Sequence, residues 1–408
     1  MSETEVTIAR LGARGDGIAD GPVYVPYALP GETVRVRIDG DRGAVVERLN
    51  DAPERVAPSC RHFGTCGGCV AQHMAEATYA VWKRGIVVDA LARHGLTAPV
   101  ADLVRVPPGG RRRAEFAVRR TRDGVVVGFH ERGSDAVVDV HDCPVLRPGL
   151  AALIAPLRDL TAEVLRPGDT ADVLVTEALN GCDVVVTGAR APDAAALAAF
   201  AAAHGVLRVS WRENGTPEPV IVQGAPRVAF AGVDVELPPG AFLQADAAAE
   251  AALRAAVGAA LGDAQRIADL YCGCGTFALP LAAAGRQVHA VDGAAEQVAA
   301  LTAAAGAAGL GGRLTGETRD LARRPLSVAE LKGYDAVVFD PPYAGTRAQA
   351  EALAASAVPT VVAVSCNPAT FARDARTMVD GGFVLNRVVP VDQFVWSAEV
   401  ELVALLRR

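Results

Sequence analysis

The chain has 408 residues, enough for two to four domains, and its 51% apolar and 21% charged residues describe an alanine-rich globular protein rather than a disordered one. The polar start Met1-Ser2-Glu3-Thr4-Glu5 lacks the basic and apolar regions of a secretory signal, and the most apolar stretch, 194–206, falls short of the ~20 residues that cross a bilayer. A cytoplasmic protein is expected, monomeric and without a membrane partner, and a net charge of −7 taken alone argues against a nucleic-acid partner.

Residues 4–50 read as short strands between Gly and Asp turns: 6–9, 22–26, 32–38 and 43–46. Strands of that length and spacing predict a small β-barrel, assigned to residues 1–52. Residues 53–236 mix strands (113–118, 125–129, 136–140, 184–187, 220–223) with alanine-rich helices, the pattern of an α+β domain. Within it the charge is unevenly spread. From Arg105 to Arg122 seven arginines (105, 111, 112, 113, 119, 120 and 122) face one acid, Glu115, so the stretch is either an RNA-binding strand or a solvated one. From residue 237 onward the strand candidates 267–271, 288–292, 336–339 and 360–365 alternate with apolar helices, which predicts a doubly wound α/β sheet with a Rossmann-like crevice.

Of eight cysteines, three lie in Cys60-Arg61-His62-Phe63-Gly64-Thr65-Cys66-Gly67-Gly68-Cys69 and a fourth, Cys143, precedes a proline. The two glycines let the backbone curl around a metal centre, and four thiolates suit a [4Fe–4S] cluster or zinc. One short cluster completed by a lone cysteine favours iron–sulphur over zinc, which usually pairs two Cys-x-x-Cys knuckles. Cys182 has no partner at ligand spacing and reads as a core residue.

The apolar strand Ile267-Ala268-Asp269-Leu270 runs into Tyr271-Cys272-Gly273-Cys274-Gly275-Thr276. A dinucleotide fingerprint would need a third glycine where Ala278 stands, so NAD is disfavoured and a cofactor without a pyrophosphate, S-adenosylmethionine, is indicated. Asp292, 23 residues beyond Asp269, ends the next strand, where a carboxylate can accept both ribose hydroxyls. Asp320 is placed either to receive an adenine amino group or to cap a helix. Asp340-Pro341-Pro342-Tyr343 puts a carboxylate and a rigid turn at the sheet edge, and in amino-group methyltransferases such a turn grips the amine.

Cys366, in Val364-Ser365-Cys366-Asn367-Pro368, follows the next strand and so faces the same crevice. Carbon 5 of uracil is too poor a nucleophile to take a methyl group unaided; a thiolate must first add to carbon 6, and a base must later remove the carbon-5 proton. Glu399 and Glu401 are both candidates for that base, on one face if residues 392–401 form a strand.

The run Gly12-Ala13-Arg14-Gly15-Asp16-Gly17-Ile18-Ala19, continued by Val25-Pro26-Tyr27 to Val34, resembles the TRAM domain, an OB-like RNA-binding barrel. Together with Cys60, Cys66, Cys69, Cys143, Phe242-Leu243-Gln244, the Asp269–Thr276 loop, Asp340-Pro341-Pro342 and Ser365-Cys366-Asn367-Pro368, the chain resembles the RNA 5-methyluridine methyltransferases over nearly its whole length. The resemblance is to the branch that carries a TRAM domain and an iron–sulphur cluster and modifies 23S ribosomal RNA. It implies a class I methyltransferase domain in residues 237–408, with Cys366 as nucleophile and Glu401 as base. Gln244, Tyr271, Asp292 and Asp340 would be cofactor-site residues and the four cysteines the cluster ligands. Transfer RNA is the second substrate class. Tyr343 stands where that family usually has Arg, Glu399 where it has His, and Asp246 where Asn is common. Two other readings remain at this point: base amino-group methylation through Asp340–Tyr343, and a redox-responsive RNA-binding protein without turnover.

Overall fold

Alternation decides the N-terminal unit: in β4 (Thr33–Asp39) Val34 and Val36 point inward while Thr33, Arg35 and Arg37 point out. The computed structural model describes residues 3–188, 194–213 and 215–408, so Met1 and Ser2 of the polar start lie outside the described residues. β1 (Glu3–Leu11), β2 (Gly17–Ala19), β3 (Val23–Val25), β4 and β5 (Arg42–Arg48) close into a barrel in the order β1-β2-β3-β5-β4 around Ile8, Val25, Val34 and Val36. Closure leaves this small sheet without free edges.

After the cysteine-bearing loop comes α1 (Glu76–Arg93), then a central sheet. β6 (Arg113–Arg120), β7 (Val125–His130), β8 (Val137–Asp139), β9 (Thr170–Glu177), β10 (Cys182–Thr187), β11 (Val206–Arg212) and β12 (Glu218–Val222) are ordered β12-β11-β10-β9-β6-β7-β8. The helices α2 (Pro148–Ala152), α3 (Ile154–Val164) and α4 (Ala194–His204) contribute Leu150, Leu157 and Leu197 to its core, where Cys182 is also buried. No helix among the described residues is long and apolar enough to cross a membrane.

A hairpin of β13 (Arg227–Phe230) and β14 (Val233–Glu236) leads into the last unit. It holds α5 (Ala247–Leu261), β15 (Arg266–Leu270), α6 (Ala278–Ala283), β16 (Gln287–Asp292), α7 (Ala295–Ala307), β17 (Leu314–Thr318) and β18 (Ala336–Phe339), followed by α8 (Arg347–Ala354), β19 (Thr360–Ser365), α9 (Pro368–Asp380), β20 (Val384–Val391) and β21 (Glu401–Arg407). The sheet runs β17-β16-β15-β18-β19-β21-β20; β15 to β19 are parallel and β21 enters antiparallel beside β19. Strand order reverses between β15 and β18, and the crevice at their C-terminal ends is where open α/β sheets hold ligands. The strands are buried on both faces, hence the unbroken apolar runs Ala336–Phe339 and Val361–Val364.

Residues 392–400 do not form the strand on which Glu399 and Glu401 would share a face; they turn, and β21 starts at Glu401. Trp396 sits at φ 61°, which a strand does not allow, and its carbonyl accepts from Val70 N (2.8 Å) and Ala71 N (3.1 Å) of the segment before α1. Long-range backbone bonding therefore overrides the local β pattern. Glu399 and Glu401 consequently do not share a strand face.

Candidate active site

The β15–α6 loop is held open by its own backbone. Gly273 (φ 53°) and Gly275 (φ 101°) take left-handed conformations, and Tyr271, which has a side chain, does so as well at φ 62°. The Tyr271 hydroxyl meets Thr346 Oγ1 at 2.7 Å, tying this loop to the turn after Asp340. Asp292, the last residue of β16, accepts from Gly273 N (2.9 Å) on Oδ2 and from Ala294 N (2.8 Å) on Oδ1. Each oxygen retains a lone pair, so the carboxylate can still accept two hydroxyls from a ribose. Asp320 is more exposed and caps a turn, its Oδ1 accepting from Ala322 N and Arg323 N at 3.0 and 3.2 Å. Both sequence readings of Asp320 use that carboxylate; the capping one is visible in the hydrogen bonds.

Across the crevice, Asp340 follows β18 and Cys366 follows β19. The Cys366 loop is fixed by Asn367, which caps α9 through Ala369 N and Thr370 N and donates Nδ2 to the Tyr343 carbonyl at 3.1 Å. Burial pushes the Cys366 thiol up to about 12, and the negative charges of Glu401 and Asp340 push in the same direction. Glu401 is only 2% exposed, and burial with the nearby Asp340 raises its carboxyl well above the usual range. Burial likewise brings Asp340 to about 7, although Gln244 donates Nε2 to its Oδ2 at 2.8 Å. The three groups therefore form one electrostatic unit that resists negative charge, so a proton leaving the thiol needs an acceptor close by. Tyr343, 60% exposed, and Glu399 stand at the mouth; the Glu399 charge raises the Tyr343 hydroxyl and burial raises the Glu399 carboxyl, with Arg14 of the barrel opposing both. Phe242 is exposed with the Arg113 guanidinium 5.7 Å from its ring centre, an arrangement able to stack on a base.

Two residues that complete this site had no signal in the sequence. Gln393 Nε2 donates to Gln244 Oε1 (2.7 Å) and to Glu401 Oε2 (3.0 Å). Lys83 of α1, fully buried, pairs with Asp392 at 3.0 Å and donates to the carbonyls of Phe394 and Glu399, while the Tyr79 hydroxyl donates to Asp392 Oδ1 and accepts from Trp396 N. Partners more than 100 residues away leave no local pattern. Asp246 caps α5 through Ala248 N and Ala249 N, a role that Asp and Asn share and that accounts for the acid here.

The arginine stretch does not form one strip. Arg105 turns inward to Asp392 Oδ2 (3.1 Å) and Glu76, and Arg112 is buried against Glu250 and the Gln244 carbonyl; Arg119 and Arg122 are exposed. The reason is strand alternation and domain contact: β6 starts where the central sheet meets the C-terminal unit.

Cys60, Cys66, Cys69 and Cys143 are free thiols lining one cavity of about 400 Å³ between the loop 60–69, the central sheet and Phe394, Ser397 and Glu399. Gly67 packs so closely on β7, its N–H donating to the His130 carbonyl, that a Cβ there would lie 2.8 Å from that oxygen. Arg111 also lines the cavity, a cation suited to an anionic thiolate centre. Burial raises the Cys69 thiol to about 12, and those of Cys66 and Cys143 upward too. The donor chemistry fits four-thiolate ligation. Among the described residues, however, no three Cys, His, Asp or Glu side chains gather into a metal-holding group.

With this geometry in place the comparisons with known proteins are direct. The family model described as tRNA (uracil-5-)-methyltransferase matches residues 227–408. A protein of Agrobacterium fabrum named an uncharacterized RNA methyltransferase is 45% identical over the whole of both chains. A 23S rRNA (uracil(1939)-C(5))-methyltransferase of Chromohalobacter salexigens is 35% identical over 99% of this chain and 89% of that protein. The chain belongs to the RNA uracil-5-methyltransferase family. It is accordingly an S-adenosylmethionine-dependent RNA methyltransferase, which sets aside the amino-group reading of Asp340–Tyr343 and the reading without turnover. The fold of this methyltransferase is also that of a Pyrococcus abyssi tRNA (uracil-54, C5)-methyltransferase in complex with S-adenosyl-L-homocysteine, at a TM-score of 0.77 and 24% identity over 99% of this chain and 100% of that one.

Proposed function

We propose that this methyltransferase acts on carbon 5 of a uridine in 23S ribosomal RNA through a covalent bond between Cys366 and carbon 6 of the base. The observation that carries the reading is the placement of Cys366, Asp340 and Glu401 at the same end of the adjacent strands β19, β18 and β21, close enough for both carboxyl charges to act on the thiol. A thiol near 12 cannot attack until a neighbour takes its proton, and the two carboxylates are that neighbourhood. Glu401 is then positioned to remove the carbon-5 proton and release the product. S-adenosylmethionine, held by Asp292 and the Tyr271–Gly275 backbone with Gln244, Asp320 and Asp340 beside it, supplies the methyl group. A base must leave its stack to reach so recessed a thiol. Phe242, Arg119, Arg122 and the barrel with Arg14 are the surfaces proposed to hold the RNA around it. Cys60, Cys66, Cys69 and Cys143 are proposed to hold a [4Fe–4S] cluster, with zinc as the alternative, bracing the loop between barrel and crevice.

The relative named for 23S rRNA supports the ribosomal substrate. The name of the matching family model and the likeness to a tRNA enzyme favour transfer RNA as the second reading. Mapping 5-methyluridine in both RNAs from a deletion strain separates them: one site lost from 23S rRNA is expected, and a loss confined to tRNA replaces the first reading by the second. RNA carrying 5-fluorouridine tests the chemistry. Wild-type protein should form a stable covalent complex with it and Cys366→Ala none; no complex in either sinks the adduct.

A further inference from the structure

Gln393 has no chemical step in the reaction above, yet it joins Asp340 to Glu401. Its side chain is 4% exposed and its Nε2 gives one hydrogen to Gln244 Oε1 and the other to Glu401 Oε2; Gln244 passes the polarity on by donating its own Nε2 to Asp340 Oδ2. Turning the Gln393 amide over would set its oxygen against Gln244 Oε1, and against Glu401 Oε2 whenever that carboxyl is ionised. In the orientation found, every bond in the path points outward from Gln393, and each of the two carboxyls receives a hydrogen. Gln393 Oε1 is meanwhile buried without a hydrogen-bond partner. A methionine of similar length lacks the amide, so it removes the two bonds that Nε2 makes.

We propose that Gln393 is a positioning residue that keeps Glu401 a proton-accepting carboxylate aimed at carbon 5, and so serves the release of the methylated base rather than its capture. This rests on the carbon-5 reading. In release, Glu401 takes the carbon-5 proton, the C–H electron pair closes the C5–C6 double bond, and the C6–S bond breaks with its pair returning to Cys366 as thiolate. Without the Gln393 donor the Glu401 carboxyl keeps its burial, loses its anchor and holds its proton to higher pH.

The test compares wild type, Gln393→Met and Glu401→Gln in single-turnover reactions with S-adenosylmethionine and unmodified 23S rRNA transcript. Covalent complex is resolved on denaturing gels and methyl incorporation is counted. Gln393→Met should capture RNA within about threefold of the wild-type rate but release it at least about tenfold more slowly, a loss equivalent to one decade in rate. The release limb of its pH profile should move to higher pH. Gln393→Asn, which keeps the amide but withdraws it by one methylene, should show the same split and covers the case in which the methionine variant does not fold. Equal slowing of capture and release, or wild-type release with an unmoved pH limb, overturns the proposal. If neither wild type nor Glu401→Gln forms any covalent complex, even on 5-fluorouridine RNA, the carbon-5 reading itself fails, which is a different result.

Discussion

Asp292 and Glu401 are both acids at strand ends facing one crevice, and they are held in opposite ways. Asp292 is fixed by Gly273 N, 19 residues earlier in the loop after the neighbouring strand β15, and by Ala294 N, two positions on. Glu401 depends on Gln393, which is anchored by Gln244 from 149 residues earlier, and on a turn gripped by Lys83 and Tyr79 from more than 300 residues earlier. A locally built site should lose one contact when one residue is changed. A site assembled over distance should lose an arrangement.

Glu401→Gln should lower turnover by about 10³-fold, within the range for loss of a general base, while covalent RNA complex accumulates on gels. Lys83→Met leaves Asp392 buried beside fewer partners and should cost about 3 kcal/mol in urea denaturation, with turnover falling alongside stability. If Lys83→Met leaves both unchanged, the distance-built half of the contrast is wrong. Asp292→Ala should weaken S-adenosylmethionine binding by roughly 10–100-fold in calorimetry, the value of hydrogen bonds to a charged group, while RNA binding holds. The last effect concerns pH. The folded Asp340 carboxyl, at about 7 against an ordinary 3.8, contributes stability that is complete below 3.8 and lost as pH rises through 7. Melting temperatures of wild type and Asp340→Asn should therefore diverge between pH 4 and 8 in favour of the variant, and parallel curves would contradict the raised value.

The same contrast explains what could be read from the sequence. The glycines after β15, the acid ending β16 and the apolar strands are local signals, and Tyr271, Asp292, Asp340 and Cys366 lie at strand ends around one crevice. Glu399 and Glu401 would share a face only on a strand, and Trp396 turns the chain instead because Val70, Ala71 and Tyr79 bind its backbone. The arginines from 105 to 122 misled for a related reason: counting charge along the chain cannot tell that Arg105 and Arg112 turn inward to acids at 392 and 250. Gln393 and Lys83 could not be singled out at all, since a glutamine and a lysine carry no motif until their partners are known.

The Lys83 anchor also sets an order of events in time. Residues 392–401 leave the ribosome more than 300 residues after the lysine and tyrosine that receive them, and domains fold in the order they emerge. The barrel and the cysteine loop can thus be finished while Lys83 still faces water. Only when the turn of residues 392–401 docks does that lysine become buried, so Lys83 and Glu401 reach their places in one step.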